Sequence, residues 1–432
     1  MPADGAALVT RFLAGLSEGE RAAVDAAIRA ALESGSALYL VGGPVRDLII
    51  GRPGEDVDIA VEGDVPALAE LLARATGLRL VQHGRFGTAT LRGDGFTIDF
   101  ARTRRETYAR PGALPDVEAA GIEEDLARRD FTLNAIALRL TPFEGVVLDP
   151  YGGAGDIAAR LVRVLHGRSF QDDATRMLRA CRYAARLAFD LEAQTAASIR
   201  RGLSYVDYVS GPRLRRELSL IFKEPSAVAA AERAAGLGVL TAIHPLLGLT
   251  SEIATIWRDA LAGHHHAGVE ELGFCMVSKC DTEADVTALS RRLHLTGRLE
   301  SLLRDLVRLA GLSDKLERPG LTTPEAVDLL DHRAPAAVWA FGLRAGGRVR
   351  GRCLAYLREW RRMRPSLNGF DLEELGVQPG PSLGALLQRL RAARLTGEAQ
   401  TRADEVAIVL REAPEARPDA ARSDRRTRRD RS

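Results

Sequence analysis

Cysteine is scarce in the 432-residue chain, and the four that occur are Cys181, Cys275, Cys280 and Cys353. None of them falls in a CxxC pair, which argues against a zinc site and against a disulfide framework. Scattered cysteines of this kind are typical of proteins in the reducing cytoplasm, where we expect this one to act.

Long apolar runs and strong net charge are also missing. No segment approaches about eighteen consecutive apolar residues and the N-terminus lacks a signal-peptide pattern, so no membrane association is predicted. The net charge is only +2, so a surface for a polyanion would have to be local. Nearly all the positive charge is arginine, which suits bidentate contacts with phosphate and base edges, although a GC-rich genome would give the same bias.

The composition is that of an ordinary soluble protein, with 46% hydrophobic and 27% charged residues. A chain of this length is too long for one compact core. We therefore expect about two to four domains.

The stretch from Leu38 to Val61, LYLVGGPVRDLIIGRPGEDVDIAV, predicts a strand, a glycine turn, a short helix, a second turn and a second strand. Asp56 and Asp58 fall on the second strand. Because side chains alternate along a strand, both carboxylates should project from one face while the intervening apolar residues face the core.

Two neighbouring acids repel each other unless a cation lies between them. Hard divalent ions such as Mg²⁺ prefer oxygen ligands and share carboxylates with substrate phosphates. A solvated acidic turn is the alternative for a bare Asp-x-Asp pattern. The Gly42-Gly43 turn favours the metal interpretation, since it could bring backbone N–H groups against a triphosphate near a helix N-terminus.

A hairpin is predicted next along the chain. Gly93-Asp94-Gly95 should join a strand over 88–91 to one over 96–100, on which apolar residues alternate with Thr97 and Asp99. An acid on a core-like strand is costly unless it is paired or bound to metal. Asp99 is therefore a candidate third carboxylate, and a strand-end acid reaching solvent is the alternative.

Two further segments precede the helical part of the chain. Residues 101–121 predict a long arginine-bearing loop that is either disordered or functional. Residues 123–135 predict a helix or helical turn, and its polar face could hold phosphates through guanidinium groups and ribose hydroxyls through a carboxylate and an amide. A solvated salt-bridge face is the competing interpretation. The polar residues of that face are Arg128, Arg129, Asp130 and Asn134.

Residues 170–189 predict one amphipathic helix with Asp173 and Arg176 at i, i+3 on one face. Such pairs commonly stabilise surface helices. The pair also has a chemical use, because a carboxylate accepts from the exocyclic amino group of cytosine or adenine and arginine donates to their ring acceptors. Uracil and guanine present the opposite polarity, so the pair would admit C and A and refuse U and G.

Several blocks of residues 38–190 resemble, in order, the motifs of bacterial class II tRNA nucleotidyltransferases, the CCA-adding enzymes, and of the related poly(A) polymerases. The blocks are LVGGPVRDLIIG with EDVDIAV, EDLARRDFTLNAIA, DPYGGAGDI and DDATRMLRACRYAARLAF. The later LNGFDLEELGVQPGPSLGALLQRL resembles the tail segment of the same family.

The resemblance implies an α+β fold, with an N-terminal nucleotidyltransferase head built on a mixed five-stranded sheet and an all-helical neck, body and tail. The implied parts are a catalytic head over 1–165, a base-selecting neck over 166–225, an RNA-binding body over 226–365 and a tail over 366–412 that binds the tRNA elbow. The arginine-rich end over 413–432 lacks apolar periodicity and is predicted to be disordered.

The resemblance also implies roles for individual residues. Asp56 and Asp58 would bind two Mg²⁺ ions, with Asp99 in the third carboxylate position. One departure is that Asp172-Asp173 stands where the family often has Glu-Asp, which preserves the charge. The implied nucleotide-binding residues are Gly42, Gly43 and Arg46 along the triphosphate, Arg129, Asp130 and Asn134 near the ribose, and Asp173 with Arg176 at the base. Arg179 is a further predicted nucleotide-binding residue.

The implied activity is template-independent addition of CCA to tRNA 3′ ends from CTP and ATP, with release of pyrophosphate. A-only addition, CC-only addition and poly(A) synthesis share these motifs, and the full-length loop over 101–121 disfavours CC-only addition, whose enzymes tend to be shortened there. An inert RNA-binding protein would have lost an acid, and a small-molecule nucleotidyltransferase would not need the helical body. tRNA and nucleoside triphosphates are the expected partners, and no protein partner is predicted.

Overall fold

The computed structural model describes residues 4–52, 57–83, 87–113, 115–142, 144–262 and 268–413. Asp56 lies outside the described residues, and so does the predicted disordered end from residue 414 onward. The chain divides into two compact units, Met1–Thr250 with Arg291–His294, and Ser251–Ser290 with Leu295–Ser432.

The first unit contains a mixed sheet in the order β3-β4-β5-β2-β1-β8-β9. Only the β2–β5 pair is parallel, and every other neighbouring pair is antiparallel. The strands of this sheet are β1 Ala37–Val41, β2 Val57–Glu62, β3 Arg79–His83, β4 Thr88–Arg92, β5 Thr97–Arg102, β8 Ala137–Thr141 and β9 Val147–Leu148. The predicted α+β class and mixed sheet are confirmed, with seven strands rather than the five that the resemblance implies, and one edge strand, β9, has only two residues.

The segment over 101–121 is not a simple loop. It contains an antiparallel hairpin of β6 Arg104–Thr107 and β7 Asp116–Ala119. A short parallel pair, β10 Leu161–Val162 and β11 Asp190–Leu191, lies further along the chain.

Helices make up most of the rest of the first unit, with 3₁₀ turns at Thr132–Asn134 and Leu203–Tyr208. The helices are α1 Gly5–Gly15, α2 Glu18–Ser34, α3 Gly43–Ile50, α4 Val65–Thr76, α5 Ile122–Ala127, α6 Gly153–Ala159, α7 Ser169–Asp172, α8 Thr175–Leu187, α9 Ala193–Arg201, α10 Gly211–Lys223, α11 Ala227–Gly236 and α12 Val239–Ile243.

Two predicted helices are interrupted. The helix predicted over 170–189 is wrong as a single element, because Asp173 has an extended backbone (φ −144°, ψ 100°) between α7 and α8. Its carboxylate accepts a hydrogen bond from the backbone N–H of Thr175 at 3.0 Å, which satisfies one of the first N–H groups of α8. The segment over 123–135 likewise divides into α5 and a 3₁₀ turn.

The second unit is helical throughout its described part, with a 3₁₀ turn at Trp360–Arg362. No helix among the described residues is both long and apolar enough to cross a membrane. The helices that follow α12 are α13 Ser251–Ala262, α14 Val269–Val277, α15 Glu283–Leu293, α16 Gly297–Ala310, α17 Ser313–Glu317, α18 Thr323–Leu330, α19 Pro335–Ala345, α20 Gly347–Arg358, α21 Gly369–Glu374, α22 Pro381–Thr396 and α23 Arg402–Glu412.

Buried side chains from the sheet and from α5 position the site. Tyr39 and Ala60 on β1 and β2 pack in one cluster with Ile122 and Leu126 of α5. Burying this apolar surface fixes the segment that follows α5 against the carboxyl-terminal end of β1, where the glycine turn begins. A separate apolar cluster, which includes Leu372 and Leu390, joins α21, α22 and α23 in the second unit.

Candidate active site

Asp58 and Asp99 lie opposite each other on the parallel strands β2 and β5. Both residues are exposed while their apolar neighbours on the two strands are buried, so both carboxylates project from the same face of the sheet. The Thr90 hydroxyl donates to Oδ1 of Asp99 at 2.5 Å. The predicted pairing of Asp58 with Asp99 on one face is therefore observed, whereas Asp56 cannot be placed on it from the described residues.

The donor chemistry of this face fits a hard divalent cation. Two carboxylates in register concentrate negative charge, and Mg²⁺ is usually held by one or two protein carboxylates together with phosphate oxygens. No group of three His, Cys, Asp or Glu side chains suited to a metal occurs in the part of the chain that the structure describes. The described residues thus match a site that substrate phosphates complete, rather than an all-protein cage.

The glycine turn between β1 and α3 brings the backbone close to an arginine. Gly42 has φ +74° and ψ −129°, a conformation that favours glycine. A Cβ atom at this position would lie 2.7 Å from Nη1 of Arg129. Gly42 and Gly43 both line a cavity of about 470 Å³, so the turn leaves room for a ligand beside Arg129.

The cavity is lined almost entirely by polar and charged side chains. Six arginines and five carboxylates face it, a composition that suits a highly charged ligand whose anionic groups are met by guanidinium groups. The lining residues are Gly42, Gly43, Asp58, Glu106, Tyr108, Arg128, Arg129, Asp130, Asn134, Asp173, Thr175, Arg176, Arg179, Tyr183, Arg213, Arg216 and Glu217.

Arg128 and Arg129 are held at the cavity by one buried carboxylate. Asp125 accepts from Arg128 at 2.7 Å and from Arg129 at 3.0 Å. Burial alone would raise the pKa of Asp125, but the two arginines outweigh it and the net pKa is lowered. Nε of Arg129 is buried without a hydrogen-bond partner among the described residues, while the side chain as a whole lines the cavity.

Asp130 and Asn134 are neighbours, as their spacing predicts. Nδ2 of Asn134 donates to Oδ1 of Asp130 at 3.0 Å, and the guanidinium of Arg179 donates to Oδ2 at 2.5 and 2.9 Å. Burial would raise the pKa of Asp130, but Arg179 and Asn134 together lower it. The ion pair in turn raises the pKa of Arg179 against the effect of its burial.

Arg46 occupies a different position from the rest of the predicted phosphate set. It is 3% exposed, it is not among the cavity-lining residues, and its Nη1 donates to Oδ1 of Asn134 at 2.8 Å. Its Nε and Nη2 each donate to the carboxylate of Asp47 at 2.9 Å. In this structure Arg46 therefore orients Asn134 from behind.

Asp173 and Arg176 both reach the cavity, although Asp173 is not on the same helix. Oδ1 of Asp173 accepts from the Thr175 hydroxyl at 2.7 Å and lies 2.9 Å from Nη2 of Arg213. Arg176 is 5% exposed and donates to the Ser169 hydroxyl at 2.8 Å and to a backbone carbonyl at 2.7 Å. These contacts fix the orientation of both side chains before any base is present.

Sequence reasoning missed several cavity residues. Glu106 and Tyr108 arrive from the β6–β7 segment, where the Tyr108 hydroxyl donates to Glu106 at 2.9 Å. Burial, followed by the Glu106 charge, raises the pKa of Tyr108. The sequence signal for Glu106 and Tyr108 is the long segment over 101–121, interpreted as disordered or functional, which does not single out either residue.

Tyr183 lies between three guanidinium groups, with that of Arg179 5.7 Å from its ring centroid. Burial raises the pKa of Glu217 although Arg179 opposes the shift.

Two family models match parts of the chain. A family model described as "Poly A polymerase head domain" matches residues 38–163, and one described as "Probable RNA and SrmB- binding site of polymerase A" matches residues 188–248.

A solved structure titled "The structure of CCA-adding enzyme apo form II" superposes with a TM-score of 0.81 at 26% identity, covering 95% of this chain and 99% of that one. A Thermotoga maritima CCA-adding enzyme complexed with tRNA gives a TM-score of 0.77 at 25% identity, covering 94% of this chain and 98% of that one.

Three relatives are similar along most of the chain. An A-adding tRNA nucleotidyltransferase of Geobacter sulfurreducens is 34% identical, but the match covers 87% of this chain and only 45% of that longer protein. An A-adding tRNA nucleotidyltransferase of Halalkalibacterium halodurans is 31% identical over 85% of this chain and 86% of the relative. A CC-adding tRNA nucleotidyltransferase of Deinococcus radiodurans is 36% identical over 87% of this chain and 88% of the relative. Similarity of this extent shows that the chain belongs to the tRNA nucleotidyltransferase family.

Proposed function

We propose that the chain transfers cytidine and adenosine nucleotides from CTP and ATP to the 3′ end of tRNA, with CCA as the product. One observation carries the proposal: a single cavity holds Asp58, which is in register with Asp99, together with an arginine-rich wall and the Asp173–Arg176 pair. In a bound nucleoside triphosphate, the acids would lie at the reacting phosphoryl group, the arginine-rich wall along the phosphates, and the Asp173–Arg176 pair at the base.

The phosphoryl end is the acidic face of the sheet. Asp58 and Asp99, with Asp56 as the remaining predicted ligand, would hold two Mg²⁺ ions. Divalent ions bound there supply Lewis-acid stabilisation of the phosphoryl charge and lower the pKa of the attacking 3′-hydroxyl. Gly42 and Gly43 let the backbone approach the phosphates, and Arg129 donates to them. The transfer itself needs no protein general base, because positioning and charge neutralisation account for most of the rate of phosphoryl transfer.

The base end selects by hydrogen-bond polarity. The carboxylate of Asp173 can accept from the exocyclic amino group that C and A share. Arg176 has five N–H donors and uses two in the hydrogen bonds described above, so donors remain for a ring nitrogen or carbonyl. Thr175, Ser169 and Arg213 fix both side chains in advance. A base of opposite polarity would therefore place an acceptor against the Asp173 carboxylate and a donor against the Arg176 guanidinium, and neither pair can form a hydrogen bond.

The helical parts would then hold the RNA. We assign base selection to the neck over 166–225 and RNA binding to the body over 226–365 and the tail over 366–412, the tail at the tRNA elbow. A tRNA complex of a structurally similar CCA-adding enzyme supports tRNA as the substrate.

A-only addition is the second candidate. It is favoured by a specific observation, since two relatives that match along most of this chain are named A-adding enzymes. The Asp173–Arg176 pair suits adenine as well as cytosine, so the same cavity serves either product.

A primer assay tests the proposal. tRNA transcripts ending at the discriminator base, at C or at CC are each incubated with CTP, with ATP or with both, and the added nucleotides are resolved on a sequencing gel. CCA addition predicts that every transcript grows to the full CCA end when CTP and ATP are both present, and that ATP alone suffices only for the CC-ended transcript. Growth only of the CC-ended transcript with ATP would establish the A-only activity instead, and open-ended A addition to unrelated RNA would establish a poly(A) polymerase.

A further inference from the structure

The segment Gly346–Arg364 is the most basic stretch of the described second unit. It contains seven arginines and one acid, Glu359, and it forms α20 and the following 3₁₀ turn. Because the net charge of the whole chain is only +2, this concentration of positive charge is local.

Three of the seven arginines bond the protein itself. Arg352 donates to the backbone carbonyls of Leu316, Arg318 and Leu321, which fixes the chain after α17 against α20. Arg364 donates to two backbone carbonyls close to it in the chain, and Arg348 lies 3.7 Å from Glu317. These three guanidinium groups already have partners within the protein, so we do not count them among the cations available to a ligand.

The other four form what we call the arginine strip: Arg350, Arg358, Arg361 and Arg362. All four are exposed, and their guanidinium groups make no hydrogen bond or ion pair with any described residue. Arg350 and Arg358 are eight residues apart on one helix, a separation of about 12 Å along its axis. The strip therefore presents several unneutralised cations over a length that spans more than one phosphate.

The tail beside it has the opposite character. Residues 366–413 contain seven acids and five arginines, and each of these arginines pairs with a carboxylate. Arg402, for example, bonds Asp371 at 2.6 Å, and Arg389 bonds Glu398 at 2.8 Å. Paired charges of this kind attract a polyanion much less than free ones.

A cleft adjoins one end of the strip. It has a volume of about 530 Å³, and Arg361 of the strip lines it together with Arg364, Arg391 and Tyr356. Asp331 also lines the cleft, but Arg391 and the Tyr356 hydroxyl bond its carboxylate. The strip thus opens onto a concave surface lined by three arginines and by two acids, of which Asp331 is paired and Asp328 is exposed.

We infer that the arginine strip binds the phosphodiester backbone of the RNA substrate and supplies more of the salt-dependent affinity than the charge-balanced tail does. The inference rests on the proposed function for the identity of the RNA as tRNA. Exposed guanidinium groups form bidentate hydrogen bonds with phosphate, and they release condensed counterions when they do so. A membrane surface fits less well, because interfacial binding needs apolar side chains among the cations. The large exposed apolar residues in the described second unit, Phe370 and Leu410, lie outside the strip.

The test is a salt titration of tRNA binding by the full-length protein. In the triple variant Arg358→Gln, Arg361→Gln and Arg362→Gln, the slope of log Kd against log salt should become shallower by about two to three units, roughly one for each lost phosphate contact. The corresponding Arg→Lys triple variant keeps the charge and should keep most of the slope. The matched control, Arg389→Gln, Arg402→Gln and Arg411→Gln in the tail, should leave the slope nearly unchanged.

Three outcomes would overturn the inference. They are an unchanged slope in the strip variant, an equal loss in the tail control, and a loss of binding to phosphatidylglycerol vesicles with tRNA affinity intact. Thermal unfolding verifies that each variant is folded, and the Arg350→Gln, Arg358→Gln double variant repeats the titration if the triple variant is not. Nucleotide incorporation at saturating primer separates the two proposals. If the wild type incorporates nothing into any RNA, the proposed function fails, whereas the titration still decides whether the strip binds RNA.

Discussion

The cavity of the first unit and the arginine strip of the second use the same side chain in opposite ways. In the cavity, Arg128, Arg129 and Arg179 are each held by a buried carboxylate. In the strip, Arg361 and Arg362 have no partner among the described residues. A guanidinium bonded to a buried carboxylate has a fixed orientation, whereas an unpaired one can reorient toward a phosphate that approaches it.

The difference separates specificity from affinity. Pairing in the cavity cancels much of the attraction that its arginines would exert at a distance, but it fixes where each N–H group points. Free charge in the strip attracts any polyanion and distinguishes few of them. We therefore expect substitutions in the cavity to change chemistry, stability or base choice, and substitutions in the strip to change the salt dependence of RNA binding.

The largest expected effect is at the acidic face of the cavity. Asp58→Asn removes a charged oxygen ligand while keeping the size of the side chain, so the rate of nucleotide incorporation should fall by about 10³-fold or more. tRNA affinity should stay nearly constant, because the strip is untouched. The exposed acid of the β4–β5 turn provides a matched control, and Asp94→Asn should leave the rate unchanged. Single-turnover incorporation with and without Asp58→Asn is the measurement, and equal rates would contradict the metal role.

Breaking a buried pair should cost more stability than breaking an exposed one. Asp130→Asn removes the nearest carboxylate from Arg179 and leaves Glu217 3.7 Å away, so the free energy of unfolding should fall by about 3 kcal/mol. The Arg21–Asp25 pair lies on the surface of α2 with both side chains well exposed. Asp25→Asn should therefore cost below about 1 kcal/mol. Urea unfolding compares the two, and similar losses would mean that the cavity arginines do not depend on their carboxylates.

Base selection should be lost without loss of RNA binding. In Asp173→Asn the amide can present either a donor or an acceptor, so UTP becomes acceptable. The preference for CTP over UTP should fall by about 10- to 100-fold in kcat/KM. Asp172→Asn changes the adjacent acid, which does not line the cavity, and should keep the wild-type preference. A preference that survives in Asp173→Asn would place base selection elsewhere.

Local signals account for the part of the site that could be predicted. The glycine turn at Gly42 and the alternation around Asp58 and Asp99 depend on residues close in sequence, and the structure shows both. The break at Asp173 was hidden because the apolar periodicity continues through it, and only a side-chain hydrogen bond to Thr175 reveals it. Tyr108 was missed for another reason, since strand pairing within residues 104–119 carries it to the cavity and no local pattern encodes that contact.

Arg46 shows what motif position alone leaves open. Its place in the motif implies contact with the triphosphate, which stays a prediction, and the folded chain adds that its buried side chain donates to Asn134. Burial depends on which elements pack over a residue, and α3 packs against the 3₁₀ turn that carries Asn134. The sequence identifies α3 and the turn that carries Asn134 as separate segments, but it does not show that they pack against each other.

Acid titration should give the smallest effect, and it again separates buried pairs from free arginines. The pKa values of Asp125 and Asp130 are lowered in the folded protein, because their arginine partners outweigh the effect of burial. Such a group stabilises the fold above its unfolded pKa and loses that contribution as the pH falls through its folded pKa. The free energy of unfolding should therefore decline as the pH drops below 3.8, the ordinary value for aspartate. Burial raises the pKa of Glu217, so as the pH falls this group adds stability at pH values above the range in which Asp125 and Asp130 lose theirs.

Asp130→Asn removes one of several carboxylates whose pKa is lowered in the folded protein, a set that also includes Glu192 and Asp331, so the decline below pH 3.8 should be smaller than in the wild type. Arginine does not titrate in this range, and Arg361→Gln in the strip should follow the wild-type curve. Urea unfolding at each pH gives the comparison. An undiminished decline in Asp130→Asn would mean that the acid sensitivity arises outside the cavity, and that pairing there contributes geometry but little stability.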